Sequence, residues 1–468
     1  MKQAIRGAAL AVLTVSCAPA GAPINAPPAE PASVRPSSAP SAGLASTRAT
    51  DPTQASPEDA KLQKRLTSAL AYISEIRHLP ALSAVRGRSI SRPEIEAYLT
   101  AQLDAETPTD VIQATEALLY GFGTVDADFD FRASVIKLMT SQLLGFYDPK
   151  QKTFFVGGDL AGDEADVTLW HELVHALQDQ HYDLTRLSDW QPDMGDSQAA
   201  VHALAEGDAT SAMIDGMLKP RGATALEVPE GLMRAQSVLG SAALSAPPVL
   251  VRSLLAPYVD GLLFTNYLRS RGGFAAVDEA WRSPPTSTEQ LLHPEKFLAH
   301  EPPLVVPLPP PPASAPELSE RFHDVMGEQT LRLLFEEWLP ARTAAAAAAD
   351  WGGDRLSVFA DDARKRWAVG WHLRFDSPAA AERALIALVR AAPLTERGAG
   401  RQLDDEPRAP RPSVKVCRER HSQGPIALVR HGTDLGVAIG PFQRSPTPVA
   451  TDPACAAAVA WATKIANN

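Results

Sequence analysis

The sequence predicts an α+β protein with two folded parts. Helical periodicity dominates residues 58–300, where the clearest exception is a hairpin pattern at residues 145–156. Strand and helix patterns alternate in residues 317–468, which follow a proline-rich stretch at residues 301–316. The two parts are long enough for sizeable cores. We therefore expect a mostly helical first domain with a small sheet, followed by a smaller α+β domain.

Residues 1–17 have the features of a bacterial lipoprotein signal peptide. A basic start precedes a short apolar core (Gly7–Val15), and small residues lead to Cys17. The apolar run is too short to span a bilayer as a mature helix, so we expect its removal and a lipid on Cys17. Ordinary secretory cleavage after Ala18 or Ala20 is the alternative. Both predict export, and the first predicts a lipid anchor to the bacterial cell envelope, at the outer membrane, facing the periplasm or the surface.

The composition of residues 18–57 predicts a disordered tether. They consist almost entirely of Ala, Pro, Ser, Gly and Thr, with few large apolar side chains. Such a segment cannot bury enough apolar surface to offset the entropy lost on ordering. A tether of this kind would let the folded body reach away from the membrane.

Two helices are predicted at the start of the folded body. Residues 58–79 place Leu62, Leu66 and Ile73 at helical spacing. The segment Ser91-Arg-Pro-Glu opens a second helix, because serine is a preferred N-cap and proline is tolerated in the first turn.

The strongest chemical signal is His-Glu-Leu-Val-His at residues 171–175. On a helix, His171 and His175 lie on one face about one turn apart, so both imidazoles can bind one cation. The surrounding residues 166–180 contain no Gly or Pro and form a broad apolar stripe, which predicts a buried helix. Buried imidazoles without partners are costly, so we expect a metal, with a structural histidine pair as the alternative. Glu172 would then act as base toward the metal-activated water.

Glu206 is the leading candidate for a third ligand. Catalytic zinc sites keep three protein ligands, and two histidines with one glutamate is a known set. Glu206 follows His175 by 31 positions (206 − 175) and lies within the helical pattern of residues 197–213. Asp183 and Glu164 are the alternatives.

The segment His171-Glu-Leu-Val-His-Ala-Leu-Gln-Asp resembles the active-site helix of the gluzincins, the thermolysin-like branch of the zinc peptidases. The resemblance implies a zincin-like first domain and one Zn²⁺ per chain, held by His171, His175 and Glu206. The interval before Glu206 is longer than in thermolysin, which places the chain outside that enzyme's own subfamily. Other segments resemble a poorly characterised family of exported bacterial HExxH proteins: Gly145-Phe-Tyr-Asp-Pro, Tyr258-Val-Asp-Gly, Ser287-Thr-Glu-Gln and Trp351-Gly-Gly-Asp-Arg.

The resemblance also suggests supporting residues. Asp179 would orient a ligand histidine or else face solvent, and Asp208 could reach back to the helix that contains the HExxH motif. The oxyanion of a hydrolytic intermediate needs a facing donor, for which His293 is the first candidate and Tyr258 the second. A helix-terminus role is the alternative for His293. The hairpin at residues 145–156 would supply the edge strand that binds extended substrate in zincins, or else belong to the core.

Composition and charge limit the classes of binding partner. The net charge is −11, and no basic cluster is interleaved with aromatic residues, which argues against nucleic acid. The apolar stretch at residues 249–268 is interrupted by Arg252, Pro257 and Asp260, which is typical of a buried helix and not of a membrane span. No pattern specifies an oligomeric state.

The C-terminal residues 317–468 predict an accessory domain. The proline-rich stretch at residues 301–316 would be an extended spacer before it. Residues 367–375 have a strand pattern and residues 379–392 a helix pattern, while an alanine-rich helix is expected to end at Gly352.

Two cysteines in the accessory domain predict a disulfide. Cys417 and Cys455 are the cysteines that remain once Cys17 carries the lipid. An even pair in an oxidising compartment usually bonds, and a buried thiol pair is the alternative.

Together these features predict an envelope zinc metallopeptidase that acts on protein or peptide substrates. Zinc would polarise the scissile carbonyl, and Glu172 would act first as general base and then as acid. The alternatives are a non-catalytic binding lipoprotein with a structural metal site and a metal hydrolase that acts on a non-peptide amide.

Overall fold

The computed structural model describes residues 57–157, 163–185, 193–232, 246–391, 413–418, 423–445 and 455–468. Within these ranges the chain has an α+β fold, as its sequence predicts. The predicted signal peptide, Cys17 and residues 18–56 of the predicted tether lie outside the described residues, so export and lipid anchoring stay predictions. The first helix begins at Pro57, one residue before the predicted start of the folded body.

Helices form most of the first part of the chain. In order, the described α-helices are α1 (Pro57–Arg77), α2 (Arg92–Glu106), α3 (Thr109–Phe122), α4 (Phe131–Gln142), α5 (Asp163–Tyr182), α6 (Gly195–Leu218), α7 (Pro248–Arg282), α8 (Thr288–Leu292), α9 (Pro294–Leu298), α10 (Gly327–Phe335), α11 (Ala341–Ala348), α12 (Pro378–Ala391) and α13 (Cys455–Ala466). The predicted cap of α2 is confirmed. Ser91 Oγ accepts the Glu94 N–H, and the Glu94 carboxylate accepts the Ser91 N–H at 2.7 Å.

A three-stranded sheet lies beside the helix that contains the HExxH motif. Its strands are β1 (Arg86–Ile90), β2 (Gly145–Asp148) and β3 (Thr153–Gly157), in the order β1-β3-β2. The hairpin prediction is confirmed, since β2 and β3 are antiparallel with Tyr147 opposite Phe154. Asp148 Oδ1 accepts the Lys150 and Gln151 N–H groups in the turn. β2 is an edge strand that packs against α5.

Helices α1, α5, α6 and α7 build the core around the candidate site. Leu169, Leu173 and Val174 on α5 are fully buried, as the apolar stripe predicts. α6 and α7 cross where Gly207 faces Gly261, and a Cβ on either glycine would overlap the backbone of the opposite helix. This close crossing brings α7 within reach of the side chains that α6 presents.

Helix α7 is a core helix of unusual length. By length and composition it could cross a membrane, but 67% of its apolar window is buried inside the protein. It packs along α6 and bends at Gly272–Gly273, where the backbone leaves the helical conformation. The structure therefore places this stretch as its interrupted pattern predicts.

The second part of the chain is an antiparallel sheet covered on both faces. Its strands are β4 (Ser319–Asp324), β5 (Trp351–Ala360), β6 (Trp367–Phe375), β7 (Ser413–Arg418), β8 (Ile426–His431) and β9 (Asp434–Phe442), in the order β4-β5-β6-β9-β8-β7. Helices α10, α11 and α12 cover one face and α13 covers the other. One predicted boundary is wrong: the alanine-rich helix ends at Ala348 and not at Gly352. Asp350 adopts a positive φ of 61° there, and Trp351 begins β5.

The two parts share a hydrophobic core, which differs from the expected separation by a spacer. Apolar residues of α3 belong to the same buried cluster as the C-terminal sheet. The Phe122 and Trp371 rings meet edge to face at 5.8 Å, and Tyr120 lies 5.7 Å from Phe442. α3 carries the apolar surface that the C-terminal sheet buries, so it is part of the C-terminal core although it lies early in the chain.

The proline-rich stretch lies on the C-terminal sheet instead of extending between separate bodies. The Leu304 N–H donates to the Gly352 carbonyl at 2.6 Å, and Trp461 Nε1 donates to the Pro310 carbonyl at 2.7 Å. Val306 is buried. Proline has no N–H to lose, so this segment can dock through its carbonyls and apolar rings.

Cys417 and Cys455 form a disulfide with a Cα–Cα distance of 5.9 Å. It joins β7 to the start of α13 across 38 positions. Replacing both by Ser should lower the free energy of unfolding by at most roughly 3 to 4 kcal/mol, because the cross-link restricts the unfolded chain. Denaturant midpoints of wild type and double variant measure this, and equal midpoints would contradict it. Because α3 shares this core, we expect the loss to extend beyond the C-terminal part.

Candidate metal centre

Three buried side chains converge at the centre of the first part. α5 presents His171 and His175 on one face, and α6 presents Glu206 toward them. The distances between ligand atoms are 3.1 Å from His171 Nε2 to His175 Nε2, 3.1 Å from His171 Nε2 to Glu206 Oε2, and 3.5 Å from His175 Nε2 to Glu206 Oε2. Each residue is at most 1% exposed. The structure thus brings the three predicted ligands to one point.

The other candidates for the third ligand do not join this group. Asp183 is exposed, has a φ of 57°, and accepts a hydrogen bond from the Thr185 hydroxyl. The Glu164 side chain lies outside the described residues. Among the described side chains, Glu206 is therefore the carboxylate that meets both histidines.

Gln178 sets the tautomer of His175. Gln178 Oε1 lies 2.8 Å from His175 Nδ1, while Gln178 Nε2 donates to the Ala205 carbonyl and to Asp208 Oδ2, each at 3.1 Å. Because both partners of Nε2 are acceptors, the amide oxygen must face the imidazole, and Nδ1 must carry the proton. His175 Nε2, which faces the other two residues, is then the nitrogen that would lose its proton to bind a cation.

Asp208 anchors this arrangement in the interior. Arg77 Nε donates to Asp208 Oδ1 at 2.5 Å, and Trp281 Nε1 donates to Asp208 Oδ2 at 3.0 Å. Asp208 reaches back to α5, the helix that contains the HExxH motif, through its bond with Gln178, as the sequence suggested. Helical spacing turns Asp208 away from the ligand point, so it acts on the amide and not on the imidazole.

Asp179 takes neither of the two roles considered for it, because its described contacts include no histidine and it is only 4% exposed. Its carboxylate accepts hydrogen bonds from the Tyr147 hydroxyl at 2.7 Å and the Leu184 N–H at 3.1 Å, and it pairs with Lys152 at 2.7 Å. These partners tie α5 to the hairpin. The next residue back, Gln178, faces His175 instead, because one position on a helix changes direction by about 100°.

His202 holds the second oxygen of Glu206. Its Nε2 lies 3.1 Å from Glu206 Oε1, four positions away on the same helix. The sequence did not lead us to expect this contact. The i, i+4 spacing of His202 and Glu206 was the available signal.

Burial and mutual charge determine the protonation of the triad. Burial lowers the pKa of His171, and the neighbouring His175 adds to this effect. Burial also disfavours the charged form of His175, but the charge and hydrogen bond of Glu206 outweigh it and raise that pKa to about 9. Burial opposes ionisation of Glu206, yet His175 and His171 hold its pKa well below the usual value. A cation would take the place of the proton on His175.

Glu172 is held by the edge strand. The Tyr147 N–H of β2 donates to Glu172 Oε2 at 2.9 Å, and Glu172 is fully buried. The Gly157 N–H donates to the Leu144 carbonyl across the hairpin. Residue pairs with and without hydrogen bonds alternate along an antiparallel hairpin, so the Tyr147 N–H, three positions later, points away from β3. The hairpin therefore touches the predicted base through its backbone, a contact that the sequence did not indicate.

The two candidate oxyanion donors lie in different places. The Tyr258 ring centroid is 5.8 Å from that of His171, on α7 near its crossing with α6. His293 lies between α8 and α9, and its Nε2 is 2.9 Å from Glu328 Oε1. His293 caps the end of α8, as its helix-terminus alternative predicts, and its Nε2 contacts the C-terminal part, whereas Tyr258 is the candidate beside a ligand. The identity of the oxyanion donor stays a prediction.

Comparisons with known proteins concern the second part of the chain. Residues 317–445 match a protein family described as a domain of unknown function (DUF8575). No curated protein and no solved structure matches the chain. The family match spans strands β4 to β9 and includes none of the three converging ligands.

Proposed function

We propose that the chain is a zinc-dependent metallopeptidase with a zincin-like, gluzincin-type first part. The observation that carries the proposal is the convergence of His171, His175 and Glu206, with Glu172 next to the first of them in the chain. The substrates would be proteins or peptides reached from the cell envelope, to which Cys17 would anchor the protein by a lipid.

The spacing of the three ligand atoms supports a small tetrahedral ion. An ion about 2.0 to 2.1 Å from each of four ligands places neighbouring ligand atoms about 3.3 Å apart. The observed edges of 3.1, 3.1 and 3.5 Å bracket that distance. Two imidazoles and one carboxylate are also ligand types that zinc favours.

The number of ligands favours a catalytic site over a structural one. Structural zinc sites are closed by four protein ligands, whereas catalytic sites keep one position for water or substrate. Among the described residues, three side chains meet at this point, and His202 is bound to the outer oxygen of Glu206. This observation weighs against a non-catalytic binding protein whose metal is only structural.

The residues around the site support hydrolysis of an amide. A bound zinc ion would supply Lewis acidity toward the substrate carbonyl and toward water. Glu172, oriented by the Tyr147 N–H, would take a proton from the attacking water and pass it to the leaving amine. Tyr258 beside His171 would donate to the oxyanion. Gln178 would keep His175 in the tautomer that leaves Nε2 unprotonated.

The test of this function is Glu172→Gln. We expect this variant to bind zinc as the wild type does and to lose turnover of a broad peptide library by roughly 10² to 10⁴-fold, because an amide cannot accept the proton. Zinc is measured by elemental analysis and cleavage by mass spectrometry. Glu94→Gln is the matched control, since glutamine also fits the capping box of α2 and lies away from the site.

The outcomes separate the candidate functions. Equal turnover by wild type and Glu172→Gln would reject the mechanism. If the zinc-loaded wild type cleaves no peptide, the non-catalytic binding protein with a structural metal is favoured. If it cleaves only non-peptide amides, the metal hydrolase that acts on such amides is favoured.

A further inference from the structure

The helix that carries Glu206 begins against the C-terminal sheet. Its N-cap residue, Met194, makes no side-chain cap hydrogen bond. Instead the Gly195 N–H donates to Asp324 Oδ1 at 3.0 Å, and Asp324 is the last residue of β4. The first N–H groups of a helix have no partners within it. The acceptor for one of them therefore comes from 129 positions further along the chain.

The same contact contains two glycines, one from each part of the chain, and each packs closely against a carboxyl group of the other part. A Cβ at Gly195 would come within 2.5 Å of Asp324 Oδ2, and a Cβ at Gly327 would overlap Asp196 Oδ1. Gly327 also has a φ of +78°, a conformation that favours glycine. Asp196 Oδ1 is held in place by the Thr288 N–H at 3.1 Å and the Thr288 hydroxyl at 2.5 Å. Each part of the chain thus presents a glycine to a carboxyl group of the other part.

The C-terminal part also holds the helix that carries Tyr258. Gln329 Nε2 donates to Asp260 Oδ2 at 2.7 Å, and Arg332 forms an ion pair with the same carboxylate. Asp260 is 3% exposed, so this pair is buried. It lies two positions after Tyr258 and directly before Gly261, where α7 crosses α6.

We propose that the C-terminal part is a positioning clamp for the metal centre, formed by Asp324, Gly327, Gln329 and Arg332. All four residues lie within the stretch that matches the family of unknown function. The proposal rests on the proposed function, because the atoms it positions are those of a ligand on α6 and a donor on α7. It assigns this domain a role in the site although none of the three converging ligands belongs to it.

The clamp matters because metal ligation tolerates little displacement. A helix held only at the Gly207 crossing could still rotate about its axis. With side chains reaching about 5 to 6 Å from the axis, a rotation of about 5° would move the Glu206 carboxylate by about 0.5 Å, which exceeds the tolerance of about 0.2 Å in a metal–ligand distance. In addition to the packing of α6 against α5 and α7, the attachment at its first turn restricts this rotation further.

Buried carboxyl groups give the clamp a pH signature. Burial raises the pKa of Asp196 to about 8, with the charges of Asp354 and Glu289 adding to the shift, while hydrogen bonds from Thr288 oppose it. Burial raises the pKa of Asp324 to about 7, with Asp354 and Asp193 adding, while the backbone N–H groups that it accepts oppose the shift.

Two of the three facing acids, Asp193 and Glu289, are partly neutralised by their own partners. Asp193 pairs with Arg355 and lies 3.5 Å from His323, and Glu289 pairs with Lys296 at 2.7 Å. Burial is therefore the leading cause of both shifts.

The sign of the pH effect follows from these shifts. Both pKa values lie above the ordinary value of 3.8, so folding favours the protonated forms. The stability that they contribute is complete below about pH 4 and is lost as the pH rises through 7 and 8. The clamp should therefore loosen toward alkaline pH.

The experiment measures zinc affinity by chelator competition, with zinc alone as the probe, in the full chain. Asp324→Ala should weaken zinc binding on the order of 10-fold, the lower end of the loss seen when groups that orient ligands are removed. Asp324→Asn keeps an oxygen that accepts the Gly195 N–H, so it should bind zinc as the wild type does. The unfolding midpoint of Asp324→Asn should also vary less between pH 6 and 9 than that of the wild type, because asparagine does not titrate.

The matched control is Asp434→Ala. Asp434 pairs with Arg374 at 2.7 Å and His372 at 2.8 Å within the C-terminal sheet and touches neither α6 nor α7 in the described contacts. It should lower the unfolding midpoint and leave zinc affinity unchanged. Equal losses of zinc affinity in Asp324→Ala and Asp434→Ala would show a general stability effect and overturn the clamp.

Amide hydrogen exchange along α6 decides the proposal even if zinc does not bind. Exchange in the first turns of α6 should be faster in Asp324→Ala than in Asp324→Asn, wild type or Asp434→Ala. Unchanged exchange in Asp324→Ala would overturn the clamp. A wild type that binds no zinc would instead overturn the proposed function, while the exchange comparison would still decide the clamp.

Discussion

Replacing His171, His175 or Glu206 by Ala should in each case abolish stoichiometric zinc. Each change removes one of three converging ligand atoms at a buried point, where water cannot easily take its place. Loss of groups that merely orient ligands weakens metal binding about 10 to 100-fold, so loss of a ligand should exceed about 100-fold. Elemental analysis after dialysis and a chelator competition measure the two quantities.

The control for the histidine variants is His181→Ala. His181 lies on the same helix, α5, but its Nε2 is 2.8 Å from the Pro80 carbonyl, away from the triad. This variant should retain one zinc per chain. Full zinc retention in Glu206→Ala would reject Glu206 as the third ligand, and full retention in either His171→Ala or His175→Ala would reject the site itself.

Gly261→Ala should destabilise the protein and disassemble the metal centre. The added Cβ would overlap the Ala203 carbonyl oxygen on α6, which is backbone and cannot move aside like a flexible side chain. Overpacking of this kind costs about 1 to 3 kcal/mol or more. Because the crossing lies next to Glu206, separating α6 from α7 should also weaken zinc binding. Denaturant unfolding and zinc titration measure both effects.

The control for this prediction is Gly231→Ala. An added Cβ at Gly231 would have no heavy atom within 4 Å, and the residue lies in helical backbone. Alanine is favoured over glycine in a helix by roughly 0.5 to 1 kcal/mol, so this variant should be neutral or slightly more stable. If Gly261→Ala behaves like Gly231→Ala, the close crossing does not position the site.

Local features of the chain were predicted well from sequence, since neighbouring residues determine them. The apolar stripe of α5, the capping box at Ser91 and the aromatic hairpin around Asp148 all depend on residues a few positions apart. The strand at residues 367–375 has the predicted bounds. The pairing of His171 with His175 follows from helix geometry alone.

Predictions that required the path of the chain in space were less successful. Gln178, and not Asp179, faces His175, because the choice depends on how α5 is turned against α6. His293 is drawn into an ion pair with Glu328, a partner 35 positions away. Periodicity reports which face of a helix is buried but not which neighbour buries it.

The sequence by itself determined the candidate ligand types, their helical spacing and the residue proposed as base. The tertiary structure alone decided that Glu206 meets both histidines, that Tyr258 lies beside His171, and that the C-terminal part contacts the first turn of α6 and Asp260 within α7. The physical reason is that helix periodicity is a local property, whereas these contacts depend on a close glycine crossing and on buried hydrogen bonds between residues far apart in the chain.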